Sequence, residues 1–84
     1  MGAARWLAAG LRTLRANRDE RGGWGRYPFW FTVLALEDVN VRGVRAERQH
    51  AAPRLERVLR RRPKADDRHD ARRRSLAERI LALC

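Results

Sequence analysis

An all-α array of about four helices is the fold this 84-residue sequence predicts, on three observations. Apolar residues recur at three- and four-residue spacing in separate stretches, which puts them on one face of a helix. Gly22, Gly23 and Gly25 cluster in a turn between two of those stretches. Acids gather where one helix should begin and arginines where another should end, as the helix dipole favours.

The first helix is predicted over residues 3–18. Ala4, Leu7, Leu11 and Leu14 share a face with Ala8 beside them, and Arg5, Arg12 and Arg15 lie off it. Asp19, Glu20, Arg21, Gly22, Gly23, Trp24 and Gly25 then spell a glycine-rich turn. The second helix should open on Pro28, whose missing N–H costs nothing in a first turn. Phe29, Trp30, Phe31, Thr32, Val33, Leu34, Ala35 and Leu36 follow, and seven of these eight are apolar. A buried strand is the alternative for so short a run, but Pro28 and the Leu-Ala-Leu end favour a helix, one buried all round. The third spans 43–62 and contains Pro53, which predicts a break or kink near residues 50–52 and a restart at the proline. Leu55, Val58 and Leu59 form its stripe, and Glu56 pairs with Arg60. The fourth spans 67–83, with Asp66, Asp67 and Asp70 at its start and Leu76, Ile80 and Leu83 as a ridge beside Ala77, Leu81 and Cys84.

Charge divides the chain. Twenty basic residues, all arginine except Lys64, face ten acids, for a net charge of +10. Residues 1–40 carry six bases and four acids, and residues 41–84 carry fourteen and six, so the halves hold +2 and +8. All six aromatics precede residue 32. A basic half attracts polyanions, and Arg60, Arg61, Arg62, Arg72, Arg73 and Arg74 are its candidate contacts. No aromatic interleaves with them, so base stacking has no support. The aromatic third is too much apolar mass for so short a chain to cover alone, which points to a protein partner or self-association through Trp24, Phe29, Trp30 and Phe31.

Composition also excludes functions. One cysteine makes no internal disulfide framework, no stretch is apolar enough to span a membrane, and a multi-domain enzyme does not fit this length. The acid-free start with Arg5, Arg12, Arg15 and Arg18 has the charge of a mitochondrial presequence, but it lacks serine and reads equally as a core helix. A cytoplasmic location with Cys84 reduced is the default. Asp66, Asp67 and Asp70 form a DDxxD pattern, the type that holds Mg²⁺ against a diphosphate; one copy among arginines reads better as helix-capping acids. His50, His69 and Cys84 match no zinc spacing. The glycine turn lacks phosphate-loop spacing, and Ser75, the only serine, belongs to no triad. No catalytic residue, metal or cofactor is expected. The basic run at 60–64 reads as a nuclear localisation signal, a phosphate patch or a helix C-terminus.

The stretch 6–36 resembles one repeat of the squalene cyclase and protein prenyltransferase superfamily. The Leu7, Leu11, Leu14 helix, Asp19, Gly22-Gly23-Trp24-Gly25 and the helix from Tyr27-Pro28-Phe29-Trp30-Phe31-Thr32 through Leu34 and Leu36 carry the resemblance. It implies an α/α-toroid-like helical hairpin, followed by two further helices in the basic half, 43–84. The superfamily's glutamine before the loop, its DxDD motif and its Asp, Cys and His zinc ligands are missing, and one repeat closes no toroid. The resemblance therefore implies the fold of a piece rather than an activity. The chain reads as a single helical domain or the C-terminal fragment of a larger α/α protein. Its function reads as a non-catalytic interaction module. A basic nucleic-acid-binding module and a remnant of a terpenoid cyclase or prenyltransferase are the alternatives.

Overall fold

A computed structural model describes residues 2–63 and 66–84. Four helices form: α1 (Gly2–Ala16), α2 (Phe29–Asp38), α3 (Val44–Arg60) and α4 (Arg68–Ala82). The predicted all-α class is therefore the observed one. Helices α3 and α4 make the main packing pair, α2 lies against both, and α1 rests on α3 alone among the described residues. That lone attachment draws the molecule out: its radius of gyration is 13.2 Å, against about 12 Å for a compact chain of this length.

Each helix end has a local cause. Helix α1 stops two residues earlier than predicted because Asn17 turns back on it. Both the Asn17 amide and its Nδ2 donate to the Thr13 carbonyl, the side chain at 2.7 Å. Arg18 is thereby released from the helix. The side chains of Ala4, Arg5, Trp6, Leu7 and Ala8, and all of Lys64, lie outside the described residues. Pro28 is the N-cap of α2 rather than its first residue. Its backbone is extended (φ −60°, ψ 126°) while its carbonyl accepts the first helical bond, from the Thr32 amide. The strand alternative for 29–36 is excluded by this helix.

Helix α3 does not break near residues 50–52, which leaves only the kink of the two alternatives expected there. It runs through Pro53 without interruption. Gln49, whose carbonyl loses its helical donor, and Pro53 both lie on the exposed face, where water can serve that carbonyl. Its N-cap is Gly43, at φ +96°, a backbone value that disfavours any residue with a Cβ. Helix α4 starts as predicted. The Asp67 carboxylate accepts from the amides of His69 (2.9 Å) and Asp70 (3.2 Å).

The core gathers Leu11, Trp24, Phe29, Val33, Leu36, Val44, Ala51, Leu55, Leu76, Ala77 and Ile80. Of the predicted ridges, Leu76, Ala77, Ile80 and Leu55 are buried, Val58, Leu59 and Leu81 are half-buried, and Leu83 is exposed. Two charged side chains join the core. Arg48 donates to the carbonyls of Leu36 (2.8 and 3.0 Å) and Val39 (2.9 Å), which α2 leaves unpaired at its C-terminus. Glu47 is only 2% exposed.

Candidate functional site

The Gly-Gly-Trp turn is built around one carboxylate. Asp19 Oδ1 accepts from the amides of Arg21 (2.8 Å) and Gly23 (2.9 Å), and Oδ2 accepts from Gly25 (3.1 Å). Gly22 sits at φ +82°, and a Cβ there would stand 3.0 Å from that of Arg54. The turn thus needs glycine for both its conformation and its closeness to α3.

Asp19 is held below the usual carboxylate range, chiefly by the Gly23 amide and further by Arg21, Gly25 and the charge of Arg54; desolvation opposes this. A depressed folded-state value means the stabilisation is complete above the ordinary aspartate range and is lost as pH falls through Asp19's own lower value. The Gly23 and Gly25 amides should therefore lose hydrogen-exchange protection in acid below that range, and Asp19→Asn should remove the transition. Amide protection that stays constant into strong acid would contradict this.

The turn delivers Trp24 inward. Its ring stacks on Phe29 (centroids 6.0 Å apart, planes at 20°) and meets His50 edge-on at 5.6 Å. Its Nε1–H donates to Glu47 Oε1 at 3.0 Å. The same carboxylate accepts from Arg18, whose Nε lies 3.0 Å from Oε1 and whose Nη2 bonds Oε2. His50 Nε2 donates to the Gly23 carbonyl at 2.7 Å.

This geometry corrects the predicted anchoring surface. Trp24 is 1% exposed and Phe29 is buried, because α3 covers them from the other half of the chain. Trp30 is half-buried, with its ring edge-on to Phe29 at 5.1 Å. Phe31 alone of the four stands in solvent, at 78% exposure, joined by Leu34 at 50%. Helix α2 is therefore not buried all round. Phe31 and Leu34, three residues apart, form an apolar ridge opposite its buried Phe29, Val33 and Leu36. Leu34 was missed because a run of eight with seven apolar residues has no polar side to orient it.

A groove lies on each side of the ridge. Between α1 and α2 it encloses about 590 Å³, lined by Leu11, Leu14, Tyr27, Phe31, Ala35 and Val39 among others. Between α2 and α4 it encloses about 560 Å³, where Phe31, Leu34 and Leu76 meet Arg72, Arg73 and Arg79. Arg79 is tied to Glu37 of α2.

The six predicted polyanion contacts are not one patch. Arg60 stands 4.0 Å from Glu56 on an exposed face, where such a pair contributes little. Arg74 bonds Asp70 (3.1 Å) and the carbonyls of Leu59 and Arg61, closing the end of α3. Arg72 lines the α2–α4 groove. Arg61, Arg62 and Arg73 do come together, around a cleft of about 190 Å³. Arg54 shares that cleft, and nothing in the sequence marked it. Its guanidinium lies 3.9 Å over the Phe29 ring, a contact between the two halves.

Of the DDxxD acids, Asp67 caps α4 and Asp70 pairs with Arg74. Among the described residues, no three His, Cys, Asp or Glu side chains are grouped to hold a metal ion. No described helix is long and apolar enough to cross a membrane. What the surface offers chemically is apolar area and oriented guanidinium groups. No protein family, curated protein or solved structure matches the chain.

Proposed function

We propose that this chain is a non-catalytic helical interaction module, built on the plan of one repeat of the squalene cyclase and prenyltransferase superfamily. Its α2 ridge docks a helix from a protein partner or from a second copy. The observation that carries the reading is the exposure of Phe31 and Leu34 between two apolar grooves. Exposed apolar area of this kind, rimmed by charge, is how soluble proteins mark a contact face. A helix laid in either groove would meet the ridge through residues at i, i+3 or i+4 and i+7. The repeat plan draws support from the acid-anchored Gly-Gly-Trp turn joining two helices. In a repeat array, the face that one hairpin leaves open is covered by the next. A cytoplasmic setting, with Cys84 as a thiol, belongs to the same reading.

Light scattering behind size-exclusion chromatography tests it. The wild-type chain should show a mass above 9.8 kDa that grows with concentration. The doubly substituted Phe31→Ser/Leu34→Ser chain should run as a monomer with unchanged helical circular dichroism. A wild type that stays monomeric at the highest attainable concentration, and binds no hydrophobic dye, would sink the docking claim.

A further inference from the structure

The cleft between the end of α3 and the start of α4 carries a second binding role, separate from the α2 ridge. We propose that it holds one phosphoryl dianion, as inorganic phosphate or as the phosphate of a small monoester, between Arg54, Arg61, Arg62 and Arg73.

Four observations converge on it. First, four arginines line one small cleft, with Asp67 and Asp70 as its only acids among the described residues. The lining is therefore net positive, as an anion requires. Second, the two carboxylates are already engaged: Asp67 caps α4 and Asp70 pairs with Arg74. Among the described residues, no carboxylate lies within ion-pair distance of Arg54, Arg61, Arg62 or Arg73. Third, two of the four are oriented before any ligand arrives. Arg54 lies over Phe29 at 3.9 Å and Arg73 over Trp30 at 5.5 Å. A planar guanidinium held on an aromatic face loses less freedom on binding and still presents its paired N–H groups to a phosphate. Fourth, burial chiefly lowers the proton affinity of Arg54; the Asp19 charge opposes this, and the like charges of Arg57, Arg21 and Arg61 add to the lowering, so a further anion is favoured there.

Size and layout select the ligand. The cleft's 190 Å³ is below the roughly 300–1,000 Å³ of sites that enclose drug-sized molecules. It suits a phosphoryl group whose ester portion extends outward. A nucleic-acid backbone asks for charges strung along a track and aromatic faces for bases. Here the four arginines share one small cleft, Trp30 is half-buried beneath Arg73, Arg74 is spent on Asp70 and the Arg61 carbonyl, and Arg60 and Arg72 are placed elsewhere.

Calorimetric titration of the full chain tests the proposal, with inorganic phosphate, glycerol phosphate and a single-stranded oligonucleotide as separate probes. Saturable one-to-one binding of a phosphate probe is expected, weakened about tenfold or more by Arg62→Ala or Arg73→Ala. Arg26→Ala, which removes the same charge from an exposed turn outside the cleft, should leave it unchanged. Tighter binding of the ester would identify a monoester as the source, and tighter binding of the ion a free phosphate. For the ester, affinity should rise with pH through about 6, where the dianion forms. Absence of saturation, or an equal loss in Arg26→Ala, overturns the proposal. Oligonucleotide binding with steep salt dependence and no response to either phosphate overturns it in favour of a nucleic-acid surface.

Discussion

Trp24→Ala is expected to remove most of the stability of this chain. Truncating a fully buried aromatic typically costs about 3–5 kcal/mol. At about 0.05–0.15 kcal/mol per residue, an 84-residue domain holds only about 4–13 kcal/mol. Among the described residues Trp24 is the largest completely buried side chain, and it touches both halves of the fold through Phe29 and His50. Its loss opens a cavity between α2 and α3 and leaves Glu47 without one donor. Thermal unfolding followed by far-ultraviolet circular dichroism should show a midpoint more than about 10 °C lower, or no cooperative transition at all. Trp24→Phe should fall between the two, since it keeps much of the ring and loses the N–H. A midpoint within a few degrees of wild type would mean that the indole is not the keystone its burial implies.

Glu47→Ala is the second large effect, expected at about 3–5 kcal/mol. The carboxylate is 2% exposed and accepts from Trp24 Nε1 and from both arms of Arg18. Removing it strands a buried indole N–H and leaves the Arg18 guanidinium, part-buried, without its counter-ion. Glu47→Gln keeps an acceptor for the indole and should lose less. Because Glu47 and Trp24 touch, the double variant Trp24→Ala/Glu47→Ala should cost clearly less than the two single losses added together. Chemical denaturation of the four chains measures that coupling. Strict additivity would show that the hydrogen bond contributes nothing beyond geometry.

The legible parts of this fold are those set by neighbours in sequence. Asp67 announces the start of α4 because a cap bonds amides two and three residues on. Leu76 and Ile80 declare their face by spacing alone. Helix α2 could be typed but not oriented, and the turn before it has no periodicity to orient it, so Phe29 and Trp24 read as surface when α3 in fact covers them. Glu47 and Arg48 were invisible for a different reason. Charged side chains read as solvent-facing, and the groups that make their burial tolerable lie 29 and 23 residues away for Glu47 and 9–12 away for Arg48. Pro53 left both a break and a kink open, because its effect depends on which side of the helix it occupies. The net charge of +10 pointed to a polyanion surface. Four of the nineteen arginines, Arg18, Arg48, Arg74 and Arg79, instead hold the fold together, and of the six expected contacts only Arg61, Arg62 and Arg73 share a cleft.

The Gly-Gly-Trp turn also bears on the order in which the chain folds. Its ties outside itself lead mainly to α3: Trp24 to Glu47, the Gly23 carbonyl to His50, and Gly22 packed under Arg54. The stretch that most resembles a self-contained hairpin therefore shapes its turn locally, through Asp19, but cannot bury Trp24 alone. Its loop must wait for a helix more than twenty residues downstream, and the entropy of that long closure falls before any of the contacts that offset it. Helices α3 and α4, joined by a short link, are therefore expected to pair first, with the turn docking afterwards on the surface they make.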